Sequence, residues 1–449
     1  MTSSIPLVSG GGRPTGNLME LRRRPLELLG RVRAECGQLG RFRMLDRDVV
    51  LMSGPRAQEA FFRATDEQLD PQPTSNELMR PIFGEGVVYD LPPERRRQTL
   101  RTPALRDDNL RSSAEIIAEE TARMFAGLGD GGEMDLLEFT TELTIYTSSA
   151  CLIGREFREH LGPEFARAYH ELERGTDAVG FLNSSLDTRA FRVRDQARER
   201  LVEMIERVIA DRRNSGGEHE DMLAALLAMN KEGKPRFSTA QITGILVSTM
   251  FAGHHTSSAT SAWTLIELLR NPHEMERVQE ELVALYADGR EVSYQALREM
   301  PRLENSIKET LRLHPPLIML LRTALEDFVY EGTTITKGSL VAASPAISHR
   351  DPDCFAEPIN FDPDRYAEPR QEDRRQPWAW IPFGGGSHRC LGANFAAMQL
   401  KAIFSVLLRS YEFELTAPPE TYSDDCTRMV VLPRQPCSVR YRRSRMASN

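Results

Sequence analysis

The sequence predicts a mainly α protein with small peripheral β-sheets, an α+β fold. Three observations carry this expectation. Between Arg96 and Arg270 apolar residues recur mostly at helical spacing. Runs with strand character are short and fall near the two ends of the chain. The chain also has 449 residues, 40% of them hydrophobic and 27% charged, which suits a globular protein with a large core.

Taken in order, the opening MTSSIPLVSGGGRPTG is polar and glycine-rich and reads as a loose segment over residues 1–20. RPLELLGRVRAECG reads as a short amphipathic helix stopped by Gly37 and Gly40, and the strand-like RFRML and DVVLMSG follow as a small edge sheet. The helical region is broken at GDGGE, at FLNSSLDT and at the polar linker RRNSGGEHED. One helix stands out. Ser238 and Gln241 form a capping box, and the pattern then runs unbroken until Asn271-Pro272. At 1.5 Å per residue that helix is about 50 Å long. Late strand signals are DFVYEGTTITKGSLVAA, read as a hairpin, then YEFEL and CSVRYRR. No internal repeat, low-complexity segment or linker interrupts the chain, so residues 1–449 read as one domain.

The net charge of −8 and pI near 5.8 argue against a nucleic-acid partner, since phosphate binding needs a clustered cationic surface. Only local basic patches remain, ERRRQTLR and the tail RYRRSR. The cysteines at 36, 151, 354, 390, 426 and 437 lack CxxC spacing, and no signal peptide opens the chain, which points to reduced thiols in a cytoplasm. No apolar run approaches the ~18 residues of a membrane span, so no membrane anchor is expected. A monomer is expected.

Two segments carry chemistry. In the long helix, FAGHHTSS interrupts an apolar run with a glycine, two histidines and three hydroxyls where a structural helix would continue with Leu or Ala. The second is FGGGSHRCLG, Phe383 to Gly392. A thiolate ligand must be reachable and tuned by donors to sulfur. Gly384 to Gly386 let backbone approach a flat ligand closely, and Gly392 permits a turn into the helix ANFAAMQLKAIFSVLL, which places Cys390 just before a helix N-terminus. A buried structural cysteine is the plain alternative, and two further motifs argue against it. KETLRLHPP sets Glu309 and Arg312 at i and i+3, by itself an ordinary surface ion pair, and FDPDRY adds Arg365.

This ordered set, a Glu-Arg pair, a third arginine and then Phe-x-x-Gly-x-His-x-Cys-x-Gly, resembles the haem-thiolate monooxygenases of the cytochrome P-450 superfamily. With TELTIYTSSACLIG and LVAASPAISHR it resembles the bacterial sterol 14α-demethylases in particular, over nearly the whole chain. Histidine stands before Thr256 where most of the superfamily carries an acid.

The resemblance implies haem b with Cys390 as axial ligand, whose thiolate pushes electron density toward iron and favours O–O cleavage. It implies Phe383 beside the thiolate, Gly384 in the loop, and Glu309, Arg312 and Arg365 as structural supports of that loop. His388, Arg322 and Arg97 or Arg101 are the implied partners of the haem propionates. For Arg97 and Arg101 a solvated basic face is an equal reading. Thr256 lies four residues after Ala252, so its hydroxyl can bond the Ala252 carbonyl and open the helix locally, with Gly253 leaving room for O₂. His255 titrates near neutrality and is the candidate proton relay, a packed histidine being its alternative; His254 reads as structural.

Substrate contacts implied by resemblance are Leu78, Met79, Phe83 and Tyr89 in a loop, Met250, Phe251 and Ala252 in the long helix, and Leu317, Ile318 and Met319 after Pro315-Pro316. Core packing explains any one of them equally well. The implied substrate is a hydrophobic sterol or terpenoid-like molecule. The implied electron donors are a ferredoxin and its NAD(P)H-dependent reductase, since the chain has no flavin or iron-sulfur motif. QPTSNELMR departs from the family: Asn76 and Leu78 stand where a tyrosine and often a phenylalanine are usual, which predicts weaker binding of lanosterol-type sterols. Oxidation of another terpenoid or a polyketide is the rival activity. A haem-based gas sensor is the non-enzymatic rival, against which Thr256 and Gly253 speak.

Overall fold

The computed structural model describes residues 4–12, 14–87, 91, 107–155, 164–165, 167–172, 189–215, 219, 221–231, 234–428 and 430–444. They form two compact units, each assembled from separate stretches of chain. The first is Met1–Thr74, Asn305–Cys390 and Ser423–Arg434; the second is Ser75–Glu304, Leu391–Tyr422 and Gln435–Asn449.

A five-stranded sheet organises the first unit, in the order Leu39–Met44, Arg47–Met52, Leu340–Ala343, Leu320–Ala324, Leu69–Asp70. Its strands pair antiparallel except Arg47–Met52 with Leu340–Ala343, which run parallel. These two central strands read as continuous apolar runs because they are covered on both faces, and the pleat divides them. Val49, Leu51, Leu340 and Ala342 join Leu28, Leu29 and Val32 of helix Pro25–Cys36 in one cluster. Val50, Met52, Val341 and Ala343 join Phe61 and Phe62 in the other. Gly37, at φ +80, ends the helix as expected. Gly40 does not: it lies inside the first strand, where a Cβ would stand 2.5 Å from the Cβ of Cys36. The expected hairpin forms from Phe328–Tyr330 and Thr333–Ile335, whereas Leu340–Ala343 leaves it for the main sheet after a turn at Gly338, φ +85.

The second unit is helical, with Asp107–Ala126, Leu136–Leu152, Arg189–Ser215, Met222–Ala228, Thr239–Arg270, Pro272–Leu285 and Ala393–Ser410. A three-stranded antiparallel sheet joins Tyr411–Leu415, Ser438–Arg443 and Gly131–Asp135. The last strand was not foreseen, because GDGGE reads as a break. Its glycines serve close packing, since a Cβ at Gly132 would lie 2.8 Å from the Tyr441 hydroxyl. The segment read as a loop around Leu78 is also different: Gln72–Phe83 is a helix, despite Pro73 and Pro81. Pro73 sits in its first turn, where a missing N–H costs nothing, and Asp70 Oδ1 accepts the Gln72 N–H at 2.9 Å.

The long helix spans Thr239–Arg270, with both bonds of the Ser238/Gln241 capping box in place. It is apolar almost all round because it is buried almost all round. Gly244 lets a neighbour approach: a Cβ there would meet the Phe83 carbonyl oxygen at 2.3 Å. Among the described residues no helix is long and apolar enough to cross a membrane.

Candidate active site

In the first unit the site is organised by one buried carboxylate. Helix Pro301–Leu313 places Glu309 and Arg312 a turn apart, and both side chains, like that of Arg365, are 0% exposed. The surface ion pair that their spacing suggests is therefore a fully buried one. Glu309 Oε1 accepts from Arg312 Nη2 (2.8 Å), Arg365 Nε (2.9 Å) and the Asp362 N–H (2.9 Å), while Oε2 accepts from Arg312 Nε (2.8 Å) and the Tyr366 hydroxyl (2.9 Å). A carboxylate offers roughly four lone-pair sites, so Glu309 is saturated. Arg312 also donates to the carbonyls of His349, Pro358 and Asn360 at 2.8, 2.6 and 3.0 Å. Arg365 reaches Glu372 Oε2 at 2.7 Å. Burial first, and the Glu309 charge second, raise the Tyr366 phenol well above its ordinary range and keep it a donor. Tyr366 and Glu372 were missed, although Tyr366 follows Arg365 within FDPDRY.

Lys308, beside Glu309 on the same helix, reaches the chain that leads toward the cysteine loop. Lys308 pairs with Asp373 at 2.5 Å, and its ammonium lies over the rings of Tyr366 (4.4 Å) and Trp380 (5.2 Å). Trp380 meets Phe383 edge-on at 6.1 Å. The loop is then closed by its own backbone: Gly384 N–H donates to Ile381 O at 3.0 Å and Cys390 N–H to Phe383 O at 2.9 Å. Gly386 has φ +64, and a Cβ there would lie 2.0 Å from the Phe62 carbonyl oxygen. Glycine is required at that position by conformation and by space together.

Cys390 is exposed, and of the six cysteines it alone is. Burial raises the other five thiols, that of Cys151 and that of Cys437 to about 12. His388 Nε2 pairs with the carboxylate of Asp66, which is buried. Nothing in the sequence pattern marked Asp66, more than three hundred residues away. Arg322, on strand Leu320–Ala324, is buried, donates to the Phe61 carbonyl at 2.8 Å and lies 4.6 Å above the Phe61 ring. Leu317 and Ile318 are half-buried, and Met319 packs on the cluster around Leu28.

In the second unit Thr256 Oγ1 donates to the Ala252 carbonyl at 2.7 Å. The helix stays continuous through this turn, so the expected local opening is not a break: a threonine can bond the carbonyl four residues back without ending the helix. A Cβ on Gly253 would meet nothing within 4 Å. His254 is buried, shares a 2.9 Å hydrogen bond with Thr144 Oγ1 of helix Leu136–Leu152, and lies edge-on to Tyr169 at 5.5 Å. His255 is half-buried against Phe251, with ring centres 5.4 Å apart. Phe83, Met250 and Phe251 belong to one buried apolar cluster, with Met79 against it and Phe83 edge-on to Phe251 at 5.4 Å. Ala252 is exposed beside them. Tyr89, Arg97 and Arg101 lie outside the described residues, as does the side chain of Leu78.

The Cytochrome P450 family profile matches residues 13–441. The chain is 53% identical to the sterol 14alpha-demethylase of Mycolicibacterium vanbaalenii, over 98% of each chain. It is 37% identical to the obtusifoliol 14-alpha demethylase of Triticum aestivum, over 97% of this chain and 98% of that one. The lanosterol 14-alpha demethylase of Bos taurus is 33% identical over 95% of this chain and 86% of its own. Among solved structures, the heme domain of cytochrome P450DA is similar in fold, with a TM-score of 0.86 at 22% identity and full coverage of both chains.

Proposed function

This chain belongs to the cytochrome P450 family, and from that premise we propose that it removes the 14α-methyl group of a sterol. The observation that carries the reading is the 53% identity to a sterol 14alpha-demethylase over 98% of each chain. The residues present fit a haem. The one exposed thiol, Cys390, stands on a loop closed by its own backbone, and soft sulfur suits iron. The Arg322 guanidinium and the His388 imidazole suit the two propionates. Bound haem supplies the oxidising chemistry: O₂ and electrons, used in successive rounds, carry the methyl group to the oxidation level at which its C–C bond is cleaved and formate leaves.

The chain's own part is to hold and to protonate. Glu309, Arg312 and Arg365 fix the backbone that presents Cys390, and the Phe62 and Trp378 rings pack against the loop glycines. Thr256 holds a hydroxyl proton one turn from Gly253, where the helix surface has no side chain, and His255 beside it is a side chain whose ring nitrogens can pass a proton on. Phe83, Met79, Met250 and Phe251 offer apolar surface to a rigid polycycle.

Electrons come from a ferredoxin and its reductase. A cleft of about 800 Å³ in the first unit opens beside the cysteine loop, lined by Trp378, Trp380 and Phe383 and by four arginines, Arg56, Arg63, Arg374 and Arg389, against only Glu59 and Asp373. That excess of positive charge suits an acidic ferredoxin.

The test is reconstitution with a ferredoxin, its reductase and a sterol that carries the 14α-methyl group. Formate should appear with the demethylated sterol, and a sterol already lacking the methyl should release none. Hydroxylation elsewhere on the skeleton without formate would overturn the assignment. Thr256→Ala should lower product formation by about 10²-fold, the lower range for a positioned proton donor, while O₂ uptake continues. Coupling equal to that of the unmodified protein would make Thr256 a structural residue only.

A further inference from the structure

We propose that His349 is a positioning residue for the cysteine loop, a neutral acceptor that ties the Glu309–Arg312 cluster to the chain entering the loop. The proposal rests on the reading of Cys390 as the haem ligand.

His349 follows the short helix Pro345–Ser348 and is 0% exposed. Its Nε2 accepts the Ile381 N–H at 2.9 Å, and its own carbonyl accepts Arg312 Nη1 at 2.8 Å. From Ile381 the chain of bonds continues through the loop: the Ile381 carbonyl accepts Gly384 N–H at 3.0 Å, and the Phe383 carbonyl accepts Cys390 N–H at 2.9 Å. One residue thus connects the buried triad, through its carbonyl, with the backbone two residues before the loop opens, through its ring. A second tie runs beside it, where the Ser348 hydroxyl lies 2.9 Å from the Ala379 carbonyl and 2.8 Å from Gln58 Oε1.

Accepting an N–H at Nε2 requires that nitrogen to be unprotonated, so the ring proton sits on Nδ1. Burial, then the charges of Arg312 and Arg350, push the imidazole down to about 3. The acceptor therefore persists across the whole physiological range. A protonated ring would leave Ile381 N–H facing a second donor, and a hydrocarbon side chain would leave it buried with no partner, which is the expensive outcome for a main-chain group.

The experiment compares the full-length, haem-loaded protein with His349→Leu and His349→Gln, the glutamine placing its carboxamide oxygen near the position of Nε2. The first readout is amide hydrogen exchange in the peptide containing Ile381 to Phe383, which reports the bond itself, whatever ligates iron. The second is the fraction of reduced carbonyl complex that shows the thiolate-type red-shifted Soret band, followed over time. In His349→Leu, exchange at Ile381 should rise about fivefold, the factor carried by one hydrogen bond of average net strength, and the red-shifted fraction should decay faster. In His349→Gln both should return to within about twofold of the unmodified protein. Unchanged exchange and unchanged spectra in His349→Leu overturn the proposal, as does a glutamine variant no better than leucine. If the leucine protein does not accumulate, the glutamine variant decides alone, since protected Ile381 with a stable band supports the proposal and loss of both overturns it. Failure of Cys390 as the ligand would remove the red-shifted band from every variant, while leaving the exchange result to report on His349 separately.

Discussion

Cys390→Ser gives a protein whose reduced carbonyl complex lacks the red-shifted Soret band and whose demethylase activity is lost. The band and the activity share one cause, the electron density that a thiolate pushes onto the iron, and a serine hydroxyl is a far weaker donor. The substitution is nearly isosteric and falls on an exposed side chain, so the fold has no reason to fail with it. Its backbone bond to Phe383 O does not depend on the side chain. The measurement is a carbonyl difference spectrum on protein whose far-ultraviolet circular dichroism matches the parent. An unchanged band would falsify the assignment of Cys390. The other cysteines offer no substitute, because burial raises all five of their thiols, those of Cys354 and Cys426 to about 11 and those of Cys151 and Cys437 to about 12.

The second large effect is structural. Glu309→Ala removes the acceptor of five hydrogen bonds and leaves the guanidinium groups of Arg312 and Arg365, both fully buried, without their main counter-charge. Breaking a buried pair by removing one partner costs about 3–5 kcal/mol. That is a large fraction of the roughly 5–15 kcal/mol by which folded domains are stable. The variant should accumulate chiefly as haem-free or insoluble protein, with a lower unfolding midpoint in whatever fraction folds. Removing an exposed pair is the control: Arg24→Ala, whose partner Glu27 is likewise exposed, should shift the midpoint by less than about 1 kcal/mol equivalent. Equal midpoints for Glu309→Ala and the parent would show that the cluster is not what supports the loop.

Much of the candidate site was legible because its signals are local. A capping box needs only Ser238 and Gln241, three residues apart, and the structure contains both of its bonds. The cysteine loop announces itself through glycines, and Gly386 does occupy a left-handed conformation against Phe62. Where the reading failed, the local signal was absent or pointed elsewhere. Gly131 and Gly132 read as a break, yet they form a strand because Tyr441 packs against the face that side chains would otherwise occupy. The resemblance implies a loop around Leu78, yet Gln72–Phe83 is a helix, with one of its two prolines in the first turn and Asp70 supplying the acceptor at its start. Thr256 bonds the carbonyl its spacing names, and the helix carries that bond without opening.

By itself the sequence determined the capped long helix and the glycine loop, which rest on residues within a few positions of one another, and it singled out Glu309, Arg312, Arg365 and Cys390 through the order of three short motifs. Tertiary structure alone decided which charges are buried and who satisfies them. Glu309 is completed by Asp362, Arg365 and Tyr366, more than fifty residues along the chain, His388 by Asp66, and Ile381 by His349. It also decided that Cys390 is the exposed cysteine, while the other five are half-buried or buried. The reason is physical. Backbone conformation answers to neighbours within a turn, whereas desolvation and hydrogen-bond satisfaction depend on every atom that packs around a group, and those atoms come from parts of the chain that local patterns do not connect.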